Sequence, residues 1–171
     1  MGEKINRKKV FNGRLLKVYS GQKKMPDGRL VYIEEIMHPG ASIIIPYVNK
    51  KIVFLRQYRA VLDKFIWELP AGKIDPGETS VSCARRELKE ETGFRAGKMK
   101  KLGFIYTVPG FCDEKIFVYE TECVGKTNPN QDPDELLSVK LFSKKEIMSL
   151  FKKGKIVDAK TISALSFASI L

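Results

Sequence analysis

The stretch from Leu69 to Gly93 leaves this chain the fewest choices. Residues Leu69-Pro70-Ala71-Gly72-Lys73-Ile74-Asp75-Pro76-Gly77-Glu78 hold two glycines and two prolines. A loop of that kind lets backbone approach a ligand closely and present a carbonyl to it. Directly after it, Thr79 or Ser80 can cap a helix running to about Thr92. Its buried stripe is Val81, Ala84 and Leu88, and Gly93 is its C-terminal stop. On this helix Glu87, Glu90 and Glu91 stand at i, i+3 and i+4, which places the carboxylates on one face within ~5–6 Å of each other. Only Arg86 offers opposite charge, by reaching Glu90, while Lys89 points elsewhere. A hard divalent cation with oxygen ligands would relieve the repulsion, and Mg²⁺ favours one or two carboxylates plus substrate phosphates. The plain alternative is an acidic, solvated helix face.

The surroundings read as a mixed α+β domain. Leu15–Met25 and Leu30–Met37 flank Pro26-Asp27-Gly28 and predict an N-terminal β-hairpin. Ala41–Val48 and Lys51–Gln57, rich in Ile and Val around Asn49-Lys50, predict a second antiparallel pair. Further strands are expected at Leu102–Thr107, Ile116–Thr121 and Ser138–Phe142. Ser143-Lys-Lys-Glu146 is a capping box opening a helix to about Lys153, and Asp158 can cap a C-terminal helix through Leu171. The organisation expected is a hairpin region over 1–40 and a main domain over 41–171, with no evident linker, repeat or low-complexity segment.

Composition narrows the chemistry. At 171 residues the chain can bury roughly 70% of its unfolded surface without disulfide or metal. Its longest apolar runs, Ser42–Val48 and Ile162–Leu171, fall short of the ~20 residues that span a bilayer. The N-terminal residues carry no apolar stretch, and a cytoplasmic location is the expectation. Cys83, Cys112 and Cys123 are unevenly spaced without a CxxC, which suits reduced packing thiols better than a disulfide framework or a zinc knuckle. With His38 as the sole histidine, carboxylates are the better candidates for catalysis. The net charge of +11 suits a polyanionic partner: nucleic acid, a membrane surface or a phosphorylated small molecule. The first thirty residues hold nine Lys and Arg against Glu3 and Asp27, with no aromatic interleaving to stack bases.

From Gly72 to Phe94 the spacing is Gly72, five residues, Glu78, seven residues, Arg86-Glu87-Leu88, one residue, Glu90-Glu91, one residue, Gly93-Phe94. This fills all nine specified positions of the Nudix box, GX5EX7REUXEEXGU. The chain therefore resembles the Nudix hydrolases, which cleave nucleoside diphosphates linked to another moiety with Mg²⁺ or Mn²⁺. The resemblance implies a Nudix α/β/α sandwich with a mixed sheet over residues 41–171. It also implies Glu87, Glu90 and Glu91 as metal ligands joined by the Ala71 carbonyl, with Glu90 and Arg86 serving catalysis. Arg86 would orient the glutamates, and Glu78 would act as a structural neighbour.

Arg56-Gln57-Tyr58-Arg59, Trp67-Glu68-Leu69-Pro70 and a proline sixteen residues beyond Gly93, Pro109, resemble the ADP-ribose pyrophosphatase branch. That branch implies hydrolysis of ADP-ribose or a related nucleoside diphosphate sugar to AMP and ribose 5-phosphate. It implies Arg59 as a phosphate contact, Glu68 as a substrate contact, and Arg56 and Tyr32 as further substrate-binding candidates. Between Asn128 and Glu135 lies a polar, proline-bearing loop that can swing over a site. Glu135 matches the branch's loop general base, with Asp132 and Asp134 as competitors and Glu114 as a weaker acidic candidate. The branch also implies a homodimer built through the N-terminal strands, with Tyr19 and Tyr32 as candidate adenine platforms. Other nucleoside diphosphate derivatives stay open as substrates. A basic RNA-binding Nudix protein is the disfavoured second reading, and its affinity would fall steeply with salt.

Overall fold

The computed structural model describes residues 7–14, 16–131 and 134–171. Leu15 of the expected first strand, and Asp132 of the polar loop, lie outside the described residues. Contacts divide the chain into two units: one reaches to Gly40 and includes Tyr106–Lys115, and the other joins Ala41–Ile105 to Ile116–Leu171.

In the first unit, strands β1 (Arg7–Asn12), β2 (Lys17–Lys24) and β3 (Leu30–Ile36) form an antiparallel sheet in that order. The hairpin turns where expected: the Gly28 N–H donates to the Met25 carbonyl at 2.9 Å, and the Asp27 carboxylate accepts from Arg29 Nε at 2.7 Å. The sheet has one strand more than the sequence suggests. β1, Arg-Lys-Lys-Val-Phe-Asn, is exposed at nearly every position and so lacks the apolar alternation that marks a half-buried strand. Residues Phe111–Asp113 lie beside the end of β3, with the Ile36 N–H donating to the Phe111 carbonyl at 2.7 Å.

The second unit is an eight-stranded mixed sheet with helices on both faces. Its central path runs β11 (Leu137–Phe142), β5 (Lys51–Arg59), β4 (Ala41–Val48), β10 (Lys115–Lys126), β8 (Phe94–Ala96). β4 and β10 are parallel, while β5 is antiparallel to β4 and to β11. Alternation along β4 sends Ile43 and Ile45 to one face and Ile44 to the other. Ile43 and Ile45 join Ile147 of α2 (Lys144–Lys152) and Ala164 and Leu165 of α3 (Ala159–Phe167) in the larger core. Ile44 packs with Ala84 and Leu88 of α1 (Ser80–Thr92) and with Tyr119.

The caps behave as their residue types require. Thr79 Oγ1 accepts from the Ser82 N–H at 3.2 Å, Ser143 and Glu146 close the capping box, and the Asp158 carboxylate accepts from the Thr161 N–H at 2.9 Å. The third helix ends at Phe167 instead of running to Leu171. Ser169 turns to a φ of 52°, and the Ile170 N–H closes back on the Leu165 carbonyl at 3.0 Å, keeping Ile170 buried.

Strand β9 (Lys100–Tyr106) pairs with β10, and besides β8 two more short strands went unforeseen in the middle of the chain. β4 and β5 pair only at Tyr47 with Ile52 and Val48 with Lys51, beyond which they part. The gap is filled by β6 (Lys64–Glu68) along β5 and β7 (Ala71–Lys73) along β4. β7 therefore makes part of the expected Leu69–Glu78 loop into sheet, too short to show a period in sequence.

Candidate active site

The Glu68–Gly72 turn is held on three sides. The Ile44 N–H donates to the Pro70 carbonyl at 3.0 Å, Ala71 pairs with Ile43, and the Leu69 N–H donates to the buried Thr161 Oγ1 at 2.9 Å. Against this turn lies the acidic face of α1. A Cβ built on Gly72 would stand 1.9 Å from Glu87 Oε1, so the carboxylate occupies the space that glycine leaves. Gly72 has ordinary extended backbone, and contact alone requires glycine there. Gly93 has two reasons to be glycine: its φ is 76°, and a Cβ would meet the Thr127 carbonyl oxygen at 2.2 Å.

Arg86 is the hub of the carboxylates. Its Nε and Nη2 donate to the two oxygens of Glu78, each at 3.0 Å, and Nη1 donates to Glu87 Oε1 at 2.7 Å and Glu90 Oε2 at 3.0 Å. Nη2 also reaches the Lys73 carbonyl at 3.1 Å. The bidentate pair with Glu78 holds the guanidinium firmly charged and depresses the Glu78 carboxyl below its usual range. Glu87 is different: burial raises its pKa to about 7 despite Arg86, with Glu90 and Glu135 adding repulsion. Glu91, 3% exposed, is pushed well upward by burial and then by Glu87 and Glu135, against one hydrogen bond from the Ala71 N–H at 3.2 Å.

Among the described residues, no three His, Cys, Asp or Glu side chains converge into a ready-made metal cage. Glu87 and Glu90 turn onto Arg86, and Glu91 turns onto Ala71. Each carboxylate accepts from a guanidinium or an N–H donor. Cys83 lies beneath, its Sγ 3.4 Å from the Gly72 and Lys73 carbonyls, and burial pushes the thiol up to about 12, so it packs as an inert group.

Glu135 is brought to this acidic group, near enough to raise both Glu87 and Glu91. Gln57 Nε2 donates to Glu135 Oε1 at 3.3 Å, and the Tyr58 N–H donates to the Leu136 carbonyl at 2.9 Å. Just before the loop and in its first half, the Thr127 N–H, the Asn130 N–H and Gln131 Nε2 donate to the carbonyls of Gly93, Glu90 and Glu91 at 2.7, 2.9 and 2.9 Å. These carbonyls belong to the end of α1 and its C-cap Gly93, where helix geometry leaves acceptors unmet. Asp134, the neighbouring competitor, is exposed.

Arg59 and Glu68 meet each other. Arg59 Nε and Nη2 donate to the two Glu68 oxygens at 2.6 and 2.7 Å, and Lys160 Nζ also bonds Glu68 Oε2. Burial alone would raise the Glu68 pKa, but these two cations hold it below the usual value. Strand alternation sends Arg56 to the face opposite Gln57 and Arg59, where its guanidinium stacks on Phe65 at 4.7 Å. Arg56 is thus not brought to the carboxylates. Tyr32 is exposed on β3 of the first unit, and Tyr19 there lies under the Arg7 guanidinium at 4.3 Å. Glu114, also in that unit, accepts from Thr107 Oγ1 at 2.8 Å and lies 3.6 Å from His38 Nε2.

Sequence spacing had no means of finding Gln57, Gln131, Asp158, Lys160 or Thr161 as neighbours of the site. Lys160 is 92 residues from Glu68, and only the packing of α3 against the Glu68–Pro70 turn joins them.

The NUDIX domain family model matches residues 37–165. An ADP-ribose pyrophosphatase of Bacillus subtilis (strain 168) is 32% identical over 169 residues, covering 97% of this chain and 91% of its own. A methanol dehydrogenase activator of Bacillus methanolicus is 35% identical over the same shares of both chains. A crystal structure of an ADP compounds hydrolase superposes with a TM-score of 0.85 at 24% identity, over 98% of this chain and 92% of that one, which shows the likeness of fold. Among the described residues, no helix is long and apolar enough to cross a membrane.

Proposed function

Since this chain belongs to the Nudix hydrolase family, we propose that it hydrolyses the pyrophosphate of ADP-ribose or a closely related nucleoside diphosphate sugar, releasing AMP and ribose 5-phosphate. The observation that carries the reading is similarity to an ADP-ribose pyrophosphatase over 97% of this chain and 91% of that relative, joined to a box in which every specified position is filled.

The donor set on α1 fits a hard divalent ion. Glu87, Glu90 and Glu91 offer oxygen only, no soft or imidazole ligand stands among them, and Gly72 leaves the space that the Glu87 carboxylate occupies. These three, with the Ala71 carbonyl, would hold Mg²⁺ or Mn²⁺. When bound, the ion supplies charge neutralisation on the pyrophosphate and acidifies water. Arg86 keeps Glu87 and Glu90 in register when they would otherwise repel each other. Glu135 takes a proton from the attacking water, whose oxygen joins one phosphorus as the bridging oxygen leaves with the other. Arg59 attracts phosphate charge from the edge not turned to Glu68.

The region over 1–40 is assigned a dimer contact. Val10, Phe11, Leu16, Leu30 and Tyr32 are all exposed in the first unit, more large apolar surface than a small sheet ordinarily leaves in water. Light scattering should report a homodimer at micromolar concentration, and a fully active monomer would reject this contact. The substrate assignment is tested by a Mg²⁺-dependent screen of nucleoside diphosphate sugars, coenzyme A derivatives and dinucleoside polyphosphates, with products identified. ADP-ribose or a near analogue is expected to give the highest kcat/KM, with AMP among the products. Preference for another class would overturn it.

A further inference from the structure

Lys160 is the second residue of α3, and its ammonium meets two carboxylates, Glu68 Oε2 and Asp158 Oδ1, the latter at 2.9 Å. Neither carboxylate lacks other partners. Glu68 already accepts twice from Arg59, and the second oxygen of Asp158 caps α3. What Lys160 adds is charge. With it, two cations, Arg59 and Lys160, face two anions, Glu68 and Asp158. Without it, one guanidinium would answer to both carboxylates, with Glu91 close enough to act on Arg59 as well. A cation divided among several anions offers a weaker field to any further one.

The placement is built into the fold. The first turn of α3 is fixed to the Glu68–Pro70 turn by the bond from the Leu69 N–H to the buried Thr161 Oγ1. Glu68 is only 1% exposed, so the charges around it are poorly screened. Arg59 is 39% exposed and turns Nε and Nη2 to Glu68, which leaves the Nη1 edge to meet a phosphate. Lys160, at 19% exposure and bound to two carboxylates, is itself poorly placed to reach a ligand.

We propose that Lys160 is a positioning residue for pyrophosphate recognition: by neutralising Glu68 and Asp158 from the α3 side, it leaves Arg59 available to the substrate's phosphates. The proposal rests on the phosphate-binding part of the function proposed above. It is tested in the full chain with Lys160→Met, Lys160→Gln and Lys160→Arg, by steady-state hydrolysis of ADP-ribose and by calorimetric binding of inorganic pyrophosphate with Mg²⁺.

Lys160→Met is expected to raise KM by about tenfold with kcat within about threefold of wild type, the pattern of lost ground-state binding. Lys160→Arg should restore most of the affinity. Lys160→Gln keeps a donor but loses the charge, so it should match Lys160→Met and serves in its place if the apolar variant does not fold. In an Arg59→Met background the Lys160 substitutions should add nothing further. An unchanged KM and pyrophosphate affinity, a fall in kcat alone, or a full KM effect that persists without Arg59 would overturn the proposal. If wild type hydrolyses no nucleoside diphosphate sugar, the function proposed above fails. Pyrophosphate binding still decides the role of Lys160: about tenfold weakening in Lys160→Gln supports it, and equal affinity overturns it.

Discussion

Replacing Gly72 by alanine should damage this enzyme through a single contact. The backbone there is ordinary strand, so alanine brings no conformational strain of its own. Its Cβ, however, would stand 1.9 Å from Glu87 Oε1 and 2.0 Å from Glu87 Cδ. A relaxed carbon–oxygen contact needs more than about 3 Å, so the carboxylate must retreat by more than about 1 Å. That movement strains or breaks the 2.7 Å bond from Arg86 Nη1, a charge-assisted bond worth about 1.5–3 kcal/mol. We expect a stability loss of about 2 kcal/mol, which for a chain of this size lowers Tm by roughly 4–8 °C. Activity should fall further, since about 1 Å of misplacement in a reacting constellation can cost about 10²-fold.

Thermal unfolding and Mg²⁺-dependent kinetics on Gly72→Ala, Glu87→Ala and the double variant separate the causes. Truncating Glu87 removes the atoms that the new Cβ would strike, so the stability penalty of Gly72→Ala should vanish in the Glu87→Ala background. That leaves a coupling energy of about 2 kcal/mol. A penalty that persists at full size in the Glu87→Ala background, or a Gly72→Ala protein with wild-type Tm and kcat, would refute the steric argument.

Three further outcomes are expected. Glu135→Gln should lower kcat by roughly 10²–10⁴-fold with little change in KM, while Asp134→Asn should be mild; wild-type kcat in both would remove the loop from proton transfer. Glu91→Gln should fold, and without metal should be as stable as wild type or slightly more so, since a buried repelling charge is gone; near-normal turnover at saturating Mg²⁺ would remove Glu91 from the ligand set. Glu68 titrates lower in the fold than its usual 4.5, so its ion pairs contribute stability that is present above about that pH and is lost as pH falls through the depressed value. Urea unfolding between pH 3 and 6 should show this acid-limb loss shrinking in Glu68→Gln, and an unchanged pH slope would count against it.

Legibility in the sequence followed the range of the interactions. Helix α1 was readable from end to end because Thr79, the stripe through Leu88 and Gly93 act within a few residues of one another, and the structure caps it as expected. Four of the five strands on the central sheet path could be placed, since Ile-Val runs and turn residues are local too. β1 escaped because its side chains face water and carry charge. β6 and β7 escaped because they exist only where β4 and β5 diverge, a fact of the sheet with no local signature. The carboxylates of the box were legible as a constellation. The pairing of Arg59 with Glu68, the arrival of Lys160, and the seating of Glu135 by Gln57 depend on contacts across 9, 92 and 78 residues. Arg56 shows the limit from the other side: it sits one residue from Gln57, and strand alternation turns it to the opposite face.

The bonds from Thr127, Asn130 and Gln131 to the last carbonyls of α1 have a mechanical consequence. They make the helix and the residues from Thr127 to Gln131 share one frame of reference, so any tilt or slide of α1 carries those residues with it. The point from which the chain sets out toward Glu135 is then a dimension of the helix, while Gln57 of β5 receives Glu135 at the other end. Inserting a residue into the final turn of α1 would advance that frame by about 1.5 Å and rotate it by about 100°. Such a lesion should abolish turnover even where every site residue is retained, whereas an insertion in the turn after β2, at Pro26-Asp27-Gly28, should leave this spacing intact.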